Sequence, residues 1–211
     1  MDKQALEAKQ MVKNLPFKEK VKHFWDYYKK HTIAAVFGLA VVIFGTVQCV
    51  TQVKYDLNIA YYSTKGVEQT TVDAFAKELE SVIRDIDGNG TTKIFMPVFV
   101  ADITERIPSE EAQAMRNKIP LELAADEYQM YILDQPYMDL FNYAYPDVIK
   151  STILLSDIPY VSKELGFYEG EKVYLVMTVE FEQSSNNEKK LRERENAALI
   201  EKYFSEKLNS N

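Results

Sequence analysis

The feature that most constrains this chain is an uncharged run of eighteen residues, Ile33 to Val50. As an α-helix that rises about 1.5 Å per residue, the run would cover roughly 27 Å, close to the hydrocarbon thickness of a bilayer. The sequence therefore predicts a transmembrane helix over residues 32–53. Core helices of soluble proteins can be equally apolar, but their flanks do not usually differ so strongly in charge.

The charges on the two sides of the run predict its orientation. Residues 1–31 carry eight lysines and four acidic residues, a net charge of +4, whereas the whole chain has a formal net charge of −7. Subtracting the first value from the second leaves −11 for the remaining residues. Because positively charged flanks stay in the cytoplasm, we expect residues 1–31 inside and residues 54–211 outside the cell membrane.

Two other uses of such a run are a cleaved signal peptide and a lipidated cysteine. The leading segment of about thirty residues is long for a signal peptide, and no small-residue cleavage pattern follows the run. Gln48 precedes Cys49, whereas a lipobox has a small residue directly before its cysteine. We therefore expect the helix itself to hold the chain in the lipid bilayer.

The residues before the run form an amphipathic pattern. Four aromatic or apolar residues recur at helical spacing with lysines around them: Phe17, Val21, Phe24 and Tyr28. This pattern is typical of a helix in the lipid headgroup layer. It also suits a docking helix for a cytosolic partner, and both interpretations stay open at this point.

After residue 53, short elements replace the single apolar run. Apolar periodicity predicts strands over 55–62, 92–100, 128–133 and 172–181, and helices over 70–84, 109–126, 135–143 and 187–208. Residues 145–147 and 157–159 are predicted loops. Strands that alternate with helices favour a parallel sheet covered on both faces. The predicted fold class is α/β, with a small, mostly parallel βαβαβ sheet outside the membrane.

Three details of this prediction concern individual residues. Pro97 has to lie where its missing backbone donor is not needed, and Pro120 predicts a kink or break in the second helix. In the last helix, four apolar residues spaced three and four apart should point inward: Ala197, Ile200, Phe204 and Leu208.

Several segments together resemble a group of single-span envelope proteins of Gram-positive bacteria. The segments are the lysine-rich start, KHFWDYYKKHTIA before the span, DIDGNG before a strand, and DEYQMYILDQPYMDLF. The outer domains of that group resemble one lobe of the type 2 periplasmic-binding, or solute-binding, fold. YILDQPYMDLF is similar to a hydrophobic strand of solute-binding proteins that ends at an acidic residue before a short helix. The resemblance implies a single lobe, because about 160 outer residues are too few for two.

The residue inventory restricts the chemistry of the outer segment. His23 and His31 are the two histidines and Cys49 is the one cysteine, and all three precede residue 54. Histidine-dependent triads, Cys–His nucleophiles and His-ligated metal sites are therefore excluded from residues 54–211. Nucleotide-binding glycine motifs are missing, and the acidic charge argues against a nucleic-acid partner. The 28 acidic residues of the outer segment leave a hydrolase with a carboxylate pair as an open alternative. We nevertheless expect no enzymatic activity.

One loop follows part of a calcium-binding pattern. Asp85, Asp87 and Asn89 occupy positions 1, 3 and 5 of such a loop, and Thr91 would offer its carbonyl at position 7. Position 12 is Met96, where an EF-hand has a glutamate, so Ca²⁺ would need a carboxylate from elsewhere. The alternative is that the Asp-Gly and Asn-Gly pairs simply turn the chain into the next strand. No other cofactor is expected.

Polar residues also follow two predicted strands at the points where these strands end. The candidate ligand-binding residues are Tyr61, Tyr62 and Ser63 at the first strand and Asp134 and Gln135 at the third. Ligands of open parallel sheets bind at the carboxyl ends of strands, although tyrosines at loop ends are also often half-buried without a ligand. The sequence predicts a single-pass, non-catalytic binding domain for an envelope ligand or peptide. The alternative is a structural or accessory subunit that meets other membrane proteins.

Overall fold

The computed structural model describes residues 16–51, 53–181 and 185–210. The chain divides into two units, with the boundary in the sequence between residues 53 and 54. The lysines at positions 3, 9 and 13 lie outside the described residues. The side chains of His23, Phe24 and Cys49 also lie outside the description.

The first unit contains one long helix, α1 (Phe17–Thr51). Within it, the 19-residue segment Tyr28–Thr46 is long and apolar enough to cross a membrane, a property that signal sequences near an N-terminus share. None of this segment is buried inside the protein. The Thr46 hydroxyl donates to the carbonyls of Val42 and Ile43 at 3.0 and 2.8 Å, so the helix satisfies this polar group itself.

The second unit is a mixed α/β fold. Its strands are β1 (Leu57–Ser63), β2 (Ile94–Phe95), β3 (Val98–Val100), β4 (Met130–Asp134), β5 (Ile149–Leu154) and β6 (Val173–Thr178). Its α-helices are α2 (Gln69–Leu79), α3 (Glu110–Ala124), α4 (Gln135–Ala144), α5 (Pro159–Leu165) and α6 (Glu188–Asn209). Short 3₁₀ turns at Pro146–Val148 and Leu155–Asp157 flank β5.

The strands form one sheet in which β1 is central to the parallel part. It pairs in parallel with β2 and β3 on one side and with β4 on the other. The next strand, β6, is antiparallel to both β4 and β5. The spatial order is therefore β2/β3, β1, β4, β6, β5. The predicted α/β class is confirmed, and the sheet is mixed because β6 runs against its two neighbours.

Both faces of the sheet are covered, so alternate residues of a strand enter different apolar clusters. Ile59 and Tyr61 of β1 pack on the face covered by α2, α5 and α6. Ala60 and Tyr62 pack on the face covered by α3 and α4. Burial on both sides explains why β1 and β4 read as nearly continuous apolar runs.

Two of the predictions concern elements that contain a proline, Pro97 and Pro120. The predicted strand over 92–100 is interrupted at Pro97, whose carbonyl accepts a hydrogen bond from the Tyr61 N–H at 2.9 Å. Pro120 does not break α3, which continues to Ala124, so a break there is wrong, whereas a kink stays a prediction. The proline lies close to the C-terminal end of the helix, where its ring costs a single intrahelical hydrogen bond.

Two further predictions differ from the structure at helix ends. The helix predicted over 70–84 ends at Leu79, because both backbone groups of Arg84 bond the Asn196 side chain at 2.9 Å. Ala197, Ile200 and Phe204 of α6 are buried, as predicted, whereas Leu208 in the last turn is 37% exposed.

Candidate functional site

Asp134 organises the edge at which β1 and β4 end. It is the last residue of β4 and the N-cap of α4, where its Oδ1 accepts a hydrogen bond from the Tyr137 N–H at 3.3 Å. Its Oδ2 accepts from the Thr64 N–H at 2.5 Å and from the Thr64 hydroxyl at 2.6 Å. The Ser63 hydroxyl lies 3.4 Å from the same oxygen. The structure therefore brings Ser63 and Asp134 together, as their positions at two strand ends predict.

A polar groove of about 660 Å³ opens at this edge. Gln135 borders it, with its Oε1 accepting from the Tyr174 hydroxyl and its Nε2 donating to Asp139, both at 2.7 Å. The charged side chains in its lining are Lys65, Asp134, Asp139, Glu171 and Lys172. The groove therefore offers both signs of charge to a ligand.

Tyr62 does not line this groove. Its ring is fully buried between Phe99 and Tyr137, and its hydroxyl donates to Glu122 at 2.5 Å. Burial and the hydrogen bond to Glu122 raise the pKa of Tyr62. Tyr62 therefore belongs to the packing between the sheet and α3 rather than to the strand-end groove.

Tyr61 faces the other side of the sheet and borders a second, smaller cavity of about 270 Å³. This cavity lies between the segment that follows β1 and the segment 164–171. Burial raises the pKa of Tyr61, and the carboxylates of Glu171 and Asp134 raise it further. Tyr61 and Asp134 therefore border different cavities, and Glu171 lines both of them.

Several residues at this edge were not among the sequence-predicted ones. Lys65 forms an ion pair with Glu171 at 3.4 Å and lies 5.2 Å from the centre of the Tyr168 ring. Lys65 comes two residues after β1, so its place beside a strand end could have been read from the sequence. Glu171 and Tyr168 lie in a turn before β6, and no local pattern links that turn to the end of β1.

The loop with the partial calcium pattern lies outside the strand-end groove. Carboxylate oxygens of Asp85 and Asp87 approach one from the buried Asp56, all within 4.8 Å of one another. Asp85 accepts hydrogen bonds from the Gly90 N–H at 2.7 Å and the Gly88 N–H at 2.7 Å, and these donors lower its pKa. Asp56 supplies the additional carboxylate that the sequence pattern lacked.

The remaining polar atoms of that loop turn the chain. The Asn89 side chain accepts from the Thr91 N–H at 2.8 Å and from the Thr91 hydroxyl at 2.5 Å. Gly88 and Gly90 have φ angles of +73° and +81°, which glycine adopts without strain. These contacts match the alternative in which the loop simply turns the chain into the next strand. Calcium binding at the three carboxylates stays a prediction.

Three buried carboxylates, one of them the Asp56 of this loop, are engaged by cations or backbone donors. Glu122 pairs with Lys118 at 3.0 Å, and Asp126 pairs with Arg194 at 2.5 Å. Asp56 accepts from the N–H groups of Ile86 and Lys93 at 2.9 and 2.8 Å. Engagement of this kind is typical of carboxylates that stabilise a fold.

Neither a protein-family model, nor a curated protein, nor a solved structure matches this chain.

Proposed function

We propose that the chain is a membrane-anchored, non-catalytic binding domain that holds an envelope ligand or peptide where β1 and β4 end. In this proposal residues 32–53 span the membrane, residues 1–31 are cytoplasmic and residues 54–211 are outside. The observation that carries it is the polar groove of about 660 Å³ beside Asp134. That volume lies within the roughly 300–1,000 Å³ typical of small-molecule sites.

The frame of the groove supports a binding role. Asp134 links the loop after β1 to the first turn of α4 through four polar contacts, so both walls are held before a ligand arrives. Preorganised walls reduce the entropy that a ligand loses on binding. Lys172 and Asp139 are both exposed in the lining and provide opposite charges for a peptide or another zwitterionic molecule.

The resemblance to one solute-binding lobe is consistent with this location. Ligands of open α/β sheets bind at the carboxyl ends of strands, and the groove lies at that edge of the parallel part of the sheet. A single lobe covers one side of a ligand. We therefore expect weaker binding than a two-lobed clamp achieves, because less ligand surface is buried.

The predicted orientation is tested by cysteine labelling on intact cells. The parent is a Cys49→Ser chain, into which either Glu169→Cys or Gln10→Cys is introduced. A membrane-impermeant maleimide should label the Glu169→Cys chain at once and the Gln10→Cys chain after permeabilisation. The opposite order would overturn the orientation, and a chain that is released without detergent would overturn the anchor.

Ligand binding is tested on the full chain in nanodiscs with tri-alanine and muramyl dipeptide as probes. We expect saturable changes in the amide spectrum of groove residues, and a weakening of binding by about fivefold or more in Lys172→Ala and Asp139→Ala. The matched controls are Lys150→Ala and Asp147→Ala, which remove exposed charges outside the groove. Equal losses in the controls, or no saturation with either probe, would contradict the proposal.

A second candidate is an accessory subunit of a membrane complex. It is favoured by two large apolar side chains exposed on the helices of one face, Leu121 of α3 at 71% and Tyr143 of α4 at 90%. Cross-linking in membranes followed by purification would distinguish the two candidates. Loss of a co-purifying chain in the Leu121→Lys and Tyr143→Lys variants, with no loss in the groove variants, would favour the accessory subunit.

A further inference from the structure

The smaller cavity at the strand ends is bordered by the hydroxyl of an otherwise buried tyrosine. Tyr61 is 1% exposed and borders the cavity of about 270 Å³. Among the described residues its hydroxyl forms no hydrogen bond, and its oxygen is not one of the fully buried side-chain atoms, so it reaches the cavity. A hydroxyl at the cavity wall can therefore donate to or accept from a molecule that enters.

The charge around this cavity is negative. Three glutamates line it: Glu68 and Glu164 are exposed and Glu171 is mostly buried, with 13% of its side chain exposed. One Glu171 oxygen accepts from the Tyr168 N–H at 2.9 Å, and the other faces Lys65. Three carboxylates around one polar cavity favour a cationic occupant over an anionic or a neutral one.

The Lys65 ammonium shows what kind of cation this edge accommodates. It lies 3.4 Å from a Glu171 oxygen and 5.2 Å from the centre of the Tyr168 ring. A carboxylate beside an aromatic face is a common arrangement for recognising an ammonium group. Lys65 has 58% of its side chain exposed, and an exposed ion pair is weak enough for a second ammonium to displace it.

We infer that Tyr61, Glu171 and Tyr168 form a site for a small ammonium-bearing ligand, which competes with Lys65 for Glu171. The inference goes beyond the proposed function, because it assigns a second site, in the smaller cavity, with its own ligand class. The ligand ammonium would bind the Glu171 carboxylate beside the Tyr168 ring. A polar group on the same ligand would bond the Tyr61 hydroxyl.

The test uses the full chain in detergent micelles, labelled with ¹⁵N at its seven glycines. Gly66 and Gly166 line the cavity, whereas Gly38 and Gly45 lie in α1 and serve as internal references. The probes are ethylammonium and acetate at equal ionic strength. We expect ethylammonium to shift the Gly66 and Gly166 signals saturably, and acetate to leave them unchanged.

Three variants make the competition measurable. Lys65→Ala should tighten ethylammonium binding about two- to fivefold, because it removes the internal competitor. Glu171→Gln should weaken binding about tenfold and still accept from the Tyr168 N–H. Lys150→Ala removes an exposed lysine of β5 and should leave binding unchanged. A purely structural role of the Lys65–Glu171 pair would not make the Lys65 variant bind more tightly.

The ammonium site and the proposed function are overturned by different results. Saturable binding of acetate in place of ethylammonium, or weaker ethylammonium binding in Lys65→Ala, would overturn the ammonium site. Binding of tri-alanine or muramyl dipeptide to the larger groove would still stand in that case. Shifts at Gly38 and Gly45 as large as those at Gly66 would indicate nonspecific binding and would also overturn the inference.

Discussion

Asp134 accepts two hydrogen bonds from Thr64, one from the backbone N–H at 2.5 Å and one from the hydroxyl at 2.6 Å. Asp134 is the last residue of β4 and Thr64 directly follows β1, the parallel neighbour of β4, so a single carboxylate connects the two strand ends where the groove opens. The same carboxylate caps α4. The groove geometry therefore depends on one buried side chain.

The first prediction concerns this carboxylate. Asp134→Ala removes the helix cap and the contacts to Thr64 together, and we expect it to lower the free energy of unfolding by about 2–4 kcal/mol. Urea unfolding of the detergent-solubilised chain, followed by near-ultraviolet circular dichroism, measures this change. Asp139→Ala removes an exposed carboxylate of the same helix and should change stability by about 0.5 kcal/mol or less. Equal effects in the two variants would contradict the role of Asp134.

The role of Asp134 could be predicted in part from the sequence. An acidic residue directly before Gln135 and Pro136 is a common helix start, and apolar residues before it indicate a strand. Because successive side chains of a strand point to opposite faces of the sheet, the sequence also indicates that Tyr61 and Tyr62 lie on different faces. The alternation does not indicate which tyrosine borders a cavity, since both faces of this sheet are covered.

The elements missed by the sequence interpretation depend on long-range contacts. The edge strand β5 has the sequence IKSTIL, with polar residues on three consecutive positions, and it is recognisable as a strand through its pairing with β6. The direction of β6 is not encoded locally either. The early end of α2 depends on Asn196, which lies 112 residues away from Arg84.

A second prediction concerns the buried ion pair between Arg194 and Asp126. Arg194 also donates to the Thr178 carbonyl at 3.0 Å, so it links α6 to the end of β6. Arg194→Met leaves the Asp126 carboxylate buried without its cation, and we expect a loss of about 3–5 kcal/mol in urea unfolding. Lys202→Met on the same helix removes an exposed pair and should cost about 1 kcal/mol or less. A small effect of Arg194→Met would show that solvent reaches Asp126.

A third prediction concerns the edge formed by β2 and β3. The Gln69 side chain donates to the Met96 carbonyl at 2.9 Å and accepts from the Val98 N–H at 3.1 Å, so its amide pairs with the backbone as a neighbouring strand would. Gln69→Ala should cost about 1–2 kcal/mol and increase self-association, because it uncovers strand backbone.

Analytical ultracentrifugation and urea unfolding measure the two effects of Gln69→Ala. Gln113→Ala is the matched control, since its amide bonds the Pro108 carbonyl away from the sheet edge. Unchanged association in Gln69→Ala would show that this edge is not available for strand pairing.

A fourth prediction compares two buried tyrosines on neighbouring strands. Tyr62 donates to Glu122, whereas the Tyr131 hydroxyl is buried without a partner among the described residues. Tyr62→Phe should cost about 1–3 kcal/mol, because Glu122 then loses a donor. Tyr131→Phe should be neutral or slightly stabilising, since it removes an unsatisfied group. Similar losses in both variants would contradict the assigned hydrogen bonds.

The last prediction is a pH dependence that originates at Glu122. Burial raises the pKa of this carboxyl above 4.5, although the hydrogen bond from Tyr62 and the charge of Lys118 act in the opposite direction. The folded state therefore holds a proton more tightly than the unfolded state does. As the pH rises from about 4.5 through the folded pKa, the free energy of unfolding should fall, and it should level off above that pKa.

Glu122→Gln removes this titration and keeps an acceptor for the Tyr62 hydroxyl. The difference in unfolding free energy between the variant and the parent should move in favour of the variant over that pH range and then stay constant. Urea unfolding at a series of pH values measures the difference, with Glu110→Gln in the exposed first turn of α3 as the control. A difference that is independent of pH, or that matches the control, would show that the Glu122 carboxyl titrates as an exposed one does.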